Sequence, residues 1–198
     1  MGNKKLSSLV LLSLSSALVL AACGGEGSTA DSSESAGANG SDQVLNLIES
    51  AEIPTMDSVQ ATDTVAFTAL SNVNEGLYRQ GLDGTVELGI AAEDPTVSED
   101  GLVYTFTIRD EANWSNGEPV TAADFVYSWR KLVDPASAAS YSYMMDGVIA
   151  NATEIMAGEV GPEELGVKAI DEKTLEITLT SPVPYFKDLL TLAMFFPQ

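Results

Sequence analysis

Histidine is absent from the 198 residues, and cysteine occurs once, at Cys23. Nucleophile systems that pair serine or cysteine with histidine are therefore excluded, as are zinc sites of the usual Cys/His kind. No G-x-x-x-x-G-K-[ST] loop is present to cradle nucleotide phosphates. The adjacent carboxylates Glu93-Asp94 and Glu163-Glu164 carry groups suited to acid/base work or to a hard cation, but no D-x-D-x-D-G spacing accompanies them. A solvated acidic face is the simpler reading. Trp114 and Trp129 have rings on which a ligand could stack. At a strand end and at helical core spacing such rings more often pack, and the same holds for Met144, Met145 and Met156. No catalytic residue, cofactor or metal site is expected.

What remains is Cys23 and its surroundings. Lys4 and Lys5 precede an uncharged Leu/Val/Ser/Ala run, so residues 1–22 have the layout of a secretory signal. The run closes on Leu20-Ala21-Ala22-Cys23-Gly24-Gly25, which resembles a lipobox, where a diacylglycerol is joined to the thiol and cleavage frees the cysteine amine. An uncleaved membrane helix is the alternative, but Leu6 to Ala22 falls short of the roughly 20 residues that span a bilayer. Acyl chains stabilise a membrane anchor by about 0.8 kcal/mol per buried methylene, so the protein is expected to be tethered by lipid at Cys23 and not to span. Residues 24–42 contain no large apolar residue, and the linker 23–42 reads as a flexible leash whose reach is on the order of 25 Å.

The chain carries 9 basic and 29 acidic residues, a net charge of −20, and loss of the signal with its two lysines makes the balance more negative. Such acidity argues against nucleic acid as a partner and against adhesion to anionic lipid through basic clusters.

Between residues 43 and 198 the pattern is that of strands and helices alternating in one folded region. Val44–Ile48 reads as an opening strand and Pro54–Asp57 as a break. Asp63 to Leu77 has apolar residues near helical spacing, with Gly76 where a helix would stop. Asp83-Gly84 suits a hairpin turn. Val103–Ile108 alternates, placing Tyr104, Phe106 and Ile108 on the expected buried face. Asn116-Gly117 marks a turn, and Thr121 with Asp124 has the spacing of a capping box, with Asp in place of Glu or Gln. The helix that follows runs through Val133 with Phe125, Val126, Trp129, Leu132 and Val133 on one stripe, and Asp134-Pro135 ends it. Asp171–Lys173 is the expected turn between Leu165–Ile170 and a strand Thr174–Thr180 with Leu175, Ile177 and Leu179 inward. Pro182–Phe186 redirects the chain. Leu189–Phe196 is almost wholly apolar, and the expectation is an exposed run of the kind left when a domain is cut within its core, prone to aggregation.

The blocks P-T-M-D, A-T-D-T, N-E-G-L-Y, W-S-N-G-x-P-V-T-A-x-D-F-V-Y-S-W, L-G-V-K-A-I-D, T-L-E-I-T-L and P-V-P-Y-F occur in an order that resembles the oligopeptide-binding proteins of solute-binding family 5. The resemblance covers about Gln43 to Phe196. It implies an α/β fold, the N-terminal portion of a two-lobe type II periplasmic-binding-protein-like clamp, with mixed sheets and packed helices. Residues 43–198 would be the partial first lobe, with an extra subdomain at about 77–182 and the second lobe missing. The family holds peptide extended in the cleft between lobes. By position, Thr62, Asp63 and Thr64 correspond to a strand-like stretch that contacts the peptide backbone, and Tyr141 to a tyrosine lining the cleft. Thr62 stands where some relatives have glutamate, which puts a charge contact there in doubt. A packing aromatic is the other reading of Tyr141.

The function implied is a lipid-anchored receptor on the extracellular face of the cell membrane, with no catalysis of its own, that captures oligopeptides for an ABC permease. A dipeptide, a signalling peptide or a metal chelate is an alternative ligand. A surface lipoprotein for adhesion or sensing, without transport, is the alternative class.

Overall fold

The computed structural model describes residues 46–198, and Leu47–Gln198 packs as one unit. The expected signal at 1–22, Cys23, the expected linker 23–42 and the first residues of the expected opening strand lie outside the described residues. The elements are α1 (Thr64–Val73), β1 (Tyr78–Gln80), β2 (Val86–Leu88), β3 (Thr96–Val97), β4 (Val103–Thr107), α2 (Ala122–Val133), α3 (Ala152–Met156), β5 (Val167–Ala169), β6 (Thr174–Thr178) and α4 (Phe186–Leu189), joined by short 3-10 turns.

β1 and β2 form a hairpin, and β3-β4-β6-β5 form a four-stranded sheet in that order, with every pairing antiparallel. Register explains why the sheet buries one face. Phe106 lies opposite Leu175, Tyr104 opposite Ile177, and Val167 opposite Ile177 on the other side. The period of two then sends the whole row inward. Phe106, Leu175, Ile177 and Val167 are fully buried, as expected, while Tyr104 is half-buried and stacks edge-on against Phe186 at 5.0 Å. Gly84 and Gly117 take positive φ at the two expected turns, where a side chain would be strained.

Helix α2 lies across β5 and β6 and fills the core with Phe125, Trp129, Leu132 and Val133. It starts where its sequence says it should. The Asp124 carboxylate accepts from the Thr121 backbone N–H at 2.8 Å and from the Thr121 hydroxyl at 3.1 Å, closing the helix start from its third position.

Three expectations are corrected. Asn46–Ile48 forms no strand, and Leu47 and Ile48 are 72% and 98% exposed, because no strand among the described residues offers them a ladder. Helix α1 ends at Val73 and not at Gly76. Asn74 turns extended (φ −136°, ψ 163°) while its N–H closes onto the Leu70 carbonyl. Gly76 instead permits close approach, since a Cβ there would stand 2.8 Å from the Leu190 carbonyl oxygen and from the Phe196 ring.

The third correction concerns Leu189–Phe196, which is not an exposed run: Leu190, Ala193, Met194, Phe195 and Phe196 are all buried. Their carbonyls find partners on α2. Trp129 Nε1 donates to the Phe195 carbonyl at 3.0 Å, Ser128 Oγ to the Phe196 carbonyl at 2.7 Å, and the Trp129 and Phe195 rings meet edge-on at 5.5 Å. Trp129→Phe keeps an aromatic ring and removes the donor, leaving a buried carbonyl unpaired. It is expected to cost about 1–3 kcal/mol, read as a lowered urea midpoint with an unchanged slope. An unmoved midpoint would show that the hydrogen bond contributes nothing net.

Candidate functional site

Ala61 is buried, Thr62 and Thr64 are exposed, and Asp63 between them is the N-cap of α1. Its Oδ1 accepts from the Ala66 N–H at 3.0 Å. The strand-like stretch implied by resemblance is thus corrected in part. Asp63 is extended (φ −126°, ψ 160°), but Thr64 is already the first helical residue, because the cap satisfies a donor that only a helix start leaves free. Asp63 has its carboxylate turned to its own backbone, while the hydroxyl-bearing residues on either side face solvent.

The stretch is positioned by the turn before it. Gln60 and Ala61 donate to the Asp57 carbonyl at 3.0 and 2.9 Å. The Asp57 carboxylate accepts from the Val59 N–H at 3.0 Å, from Gln198 Nε2 at 2.7 Å and from Lys131 Nζ of α2 at 2.7 Å. Partial burial pushes the Asp57 carboxyl up, but Lys131 and Gln198 outweigh it and hold the group below the usual carboxylate range.

Tyr141 reaches the same place from the far end of α2. Asp134 ends that helix, and its side chain accepts from the Ala136 N–H at 2.9 Å, capping the turn Pro135–Ser137. Ala138 then takes the left-handed conformation (φ 47°). Gln60 Nε2 ties this turn back by donating to the Ser137 carbonyl at 2.8 Å. The chain so steered sets the half-buried Tyr141 ring edge-on against Phe67, centroids 5.8 Å apart. Phe67 lies on α1 one turn after Thr64, so the structure brings Thr62, Asp63, Thr64 and Tyr141 into one neighbourhood. Phe67 and Tyr143, whose ring lies 5.9 Å from that of Tyr141, were not singled out from sequence as site residues. The N-cap position of Asp63 just before an apolar-periodic run is the signal that could have drawn Phe67 in.

A cleft of about 1400 Å³ opens beside Phe67, walled by the end of α1, the β1–β2 hairpin and Thr191–Met194. Four of its charged side chains pair across the wall: Glu75 with Arg109 at 2.6 Å and with Arg79 at 3.6 Å, and Arg79 with Glu87 at 3.1 Å. The carboxylate pairs read from sequence do no convergent work. Glu163 and Glu164 are exposed, and Asp94 accepts from Lys187 Nζ at 2.7 Å and from the Tyr78 hydroxyl at 2.6 Å. Lys187 and Tyr78 hold Asp94 below the usual carboxylate range, while burial and the bond to Asp94 push the Tyr78 phenol up. Trp114 is half-buried and donates to Asp124 at 3.3 Å. Among the described residues no three Asp, Glu, His or Cys side chains are grouped to hold a metal, and no helix is long and apolar enough to cross a membrane.

Residues 85–198 match the family described as bacterial extracellular solute-binding proteins, family 5 middle. The fold and this match define the class: the chain belongs to solute-binding protein family 5, and its described residues are part of an α/β clamp. Among its relatives, the oligopeptide-binding protein OppA of Bacillus subtilis (strain 168) is 38% identical over 194 residues, covering 98% of this chain and 35% of that protein. The periplasmic oligopeptide-binding protein OppA of Escherichia coli (strain K12) is 42% identical over 149 residues, 75% of this chain and 27% of that one. The structure of Listeria monocytogenes OppA bound to peptide superposes with a TM-score of 0.75 at 50% identity, covering 78% of this chain and 30% of that one. The chain spans about a third of the length of such relatives.

The Asp57 clasp makes a pH-dependent prediction. Because the folded carboxyl is held below its ordinary value of 3.8, its stabilisation is complete above that value and is lost as pH falls through the lower folded one. At pH 7, Asp57→Asn is expected to cost about 1–3 kcal/mol. The difference in urea midpoint between the two proteins should close on acidification below 3.8. A gap that stays constant into strong acid would show that charge on Asp57 is not what holds the turn.

Proposed function

We propose that the protein is the receptor of a peptide ABC importer: it captures oligopeptides outside the cell and delivers them to a membrane permease, without catalysis of its own. Residues 77–182 form the extra subdomain of its first lobe. Cys23, freed by cleavage after residue 22, carries the lipid that holds the receptor at the extracellular face, and residues 24–42 give it reach.

One observation carries the ligand reading. Tyr141, a residue far along the chain, is set edge-on against Phe67 beside the helix start formed by Thr62, Asp63 and Thr64. That contact joins Tyr141 to the helix that Asp63 caps, which supports reading the four positions as one set. Thr62 and Thr64 offer hydroxyls, Asp63 contributes its backbone because its carboxylate is engaged in the cap, and Tyr141 adds a ring and a phenol. Such groups suit the main chain of a peptide, which is common to all sequences, with water filling the space around variable side chains. The relatives named as peptide-binding support this reading, and one of them, 39% identical over 146 residues, is the dipeptide-binding protein of Lactococcus lactis subsp. cremoris (strain MG1363). That relative favours a second reading in which the ligand is a dipeptide.

Native mass spectrometry of the full-length protein made without residues 1–23 tests both. A heterogeneous set of short peptides released on denaturation is expected, and their lengths decide between the readings. An empty protein that also ignores a random peptide pool would overturn both. Tyr141→Ala is expected to weaken binding of a captured peptide about tenfold or more, the loss typical of a central aromatic anchor. Unchanged affinity would return Tyr141 to a packing role. For the anchor, Cys23→Ser should abolish incorporation of a labelled fatty acid and release the protein into the medium; incorporation that persists would refute lipidation at Cys23.

A further inference from the structure

Resting on the peptide-receptor reading, we infer that Tyr143 and Asp146 together form a subsite for a cationic side chain, arginine or lysine, of the bound peptide. Tyr143 is 59% exposed and lies tilted 39° against Tyr141 with centroids 5.9 Å apart. The series Phe67, Tyr141, Tyr143 thus leads from the edge of the core to solvent, and its outermost ring stands beside the proposed ligand surface.

Charge decides what suits that ring. From Asp134 to Ala150 the chain carries two acidic residues, Asp134 and Asp146, and no lysine or arginine. Asp134 is used as a cap, but Asp146 is exposed and closes the 3-10 turn Ser142–Met145, its N–H donating to the Tyr143 carbonyl at 3.1 Å. Asp146 thus stands one 3-10 turn after Tyr143 in the chain. Its Oδ1 accepts from Thr153 Oγ1 at 2.5 Å, which fixes its position. A cation over a tyrosine face is attracted by the ring quadrupole, and a neighbouring carboxylate adds to it. The same molecule uses this combination internally, with Lys187 Nζ 5.5 Å from the Tyr78 ring centroid and 2.7 Å from Asp94.

Calorimetric titration of the full-length protein with pentaalanine, and with five peptides each carrying one arginine or its neutral isostere citrulline, reads the subsite. At one peptide position arginine should bind about two- to fivefold tighter than citrulline, the range for an exposed cation over an aromatic ring. Tyr143→Leu should erase that preference, and Tyr143→Phe should keep it. Asp146→Asn, which leaves the ring in place, should reduce it. A preference that survives Tyr143→Leu, or no position at which arginine exceeds citrulline, overturns the subsite while peptide binding stands. Wild-type protein that fails to bind pentaalanine, every arginine peptide and a random peptide pool overturns the peptide-receptor reading and the subsite with it.

Discussion

Buried backbone carbonyls must find donors, and in this fold α2 supplies them to the segment that closes the core. Ser128 and Trp129 donate to successive carbonyls of Phe195 and Phe196, and one turn away Lys131 binds the Asp57 carboxylate. A chain segment as apolar as Leu189–Phe196 could bury its side chains in many ways, since the hydrophobic effect has no direction. Two hydrogen bonds and one edge-on ring contact select a single arrangement, because each alternative would strand a carbonyl away from water at a cost of about 1–3 kcal/mol. The same helix packs on β5 and β6. α2 is therefore the element to which both the sheet and the flanking segments are referred.

The candidate site inherits its position from that helix at both ends. Lys131 fixes the turn Asp57–Ala61, which aims Thr62–Thr64, and Asp134 at the end of α2 caps the turn that aims Tyr141. Gln60 joins the two by its bond to Ser137. Three aspartates in this assembly, Asp57, Asp63 and Asp134, each accept from backbone N–H groups, so they act as local fasteners rather than as a field directed at a ligand. An acidic chain can in this way carry a site whose exposed groups are mostly uncharged.

Where the sequence was legible, the information was local. The alternation in β4 and β6, the stripe on α2, the Thr121/Asp124 spacing and the glycine turns all involve residues within a few positions of one another, and the structure contains them as read. Where it was not, the deciding partner was remote. The burial of Phe195 and Phe196 depends on donors 66 and 68 residues earlier. Gly76 meets Leu190 and Phe196, more than a hundred residues on, so its role in close approach could not be read locally. The meeting of Tyr141 with Phe67 depends on the turn Pro135–Ser137 and on a left-handed Ala138 that no residue preference announces. Resemblance supplied what periodicity could not: it named Thr62–Thr64 and Tyr141 as a set, although it described the first as strand-like throughout when the cap at Asp63 turns Thr64 into helix.

That cap bears on how selective such a surface can be. If the Asp63 carboxylate faced outward, a charge at the head of α1 would favour cationic partners at every ligand position within reach. Committed instead to the Ala66 N–H, it leaves Thr62 and Thr64 as hydroxyls that both donate and accept. In the proposed function, affinity and discrimination then separate physically. Main-chain contacts at the helix start provide binding that is indifferent to sequence, and preference among peptides must come from side-chain contacts set to one side, where the aromatic series leaves the core. Substituting a charged residue at the position of Thr62 would merge the two again.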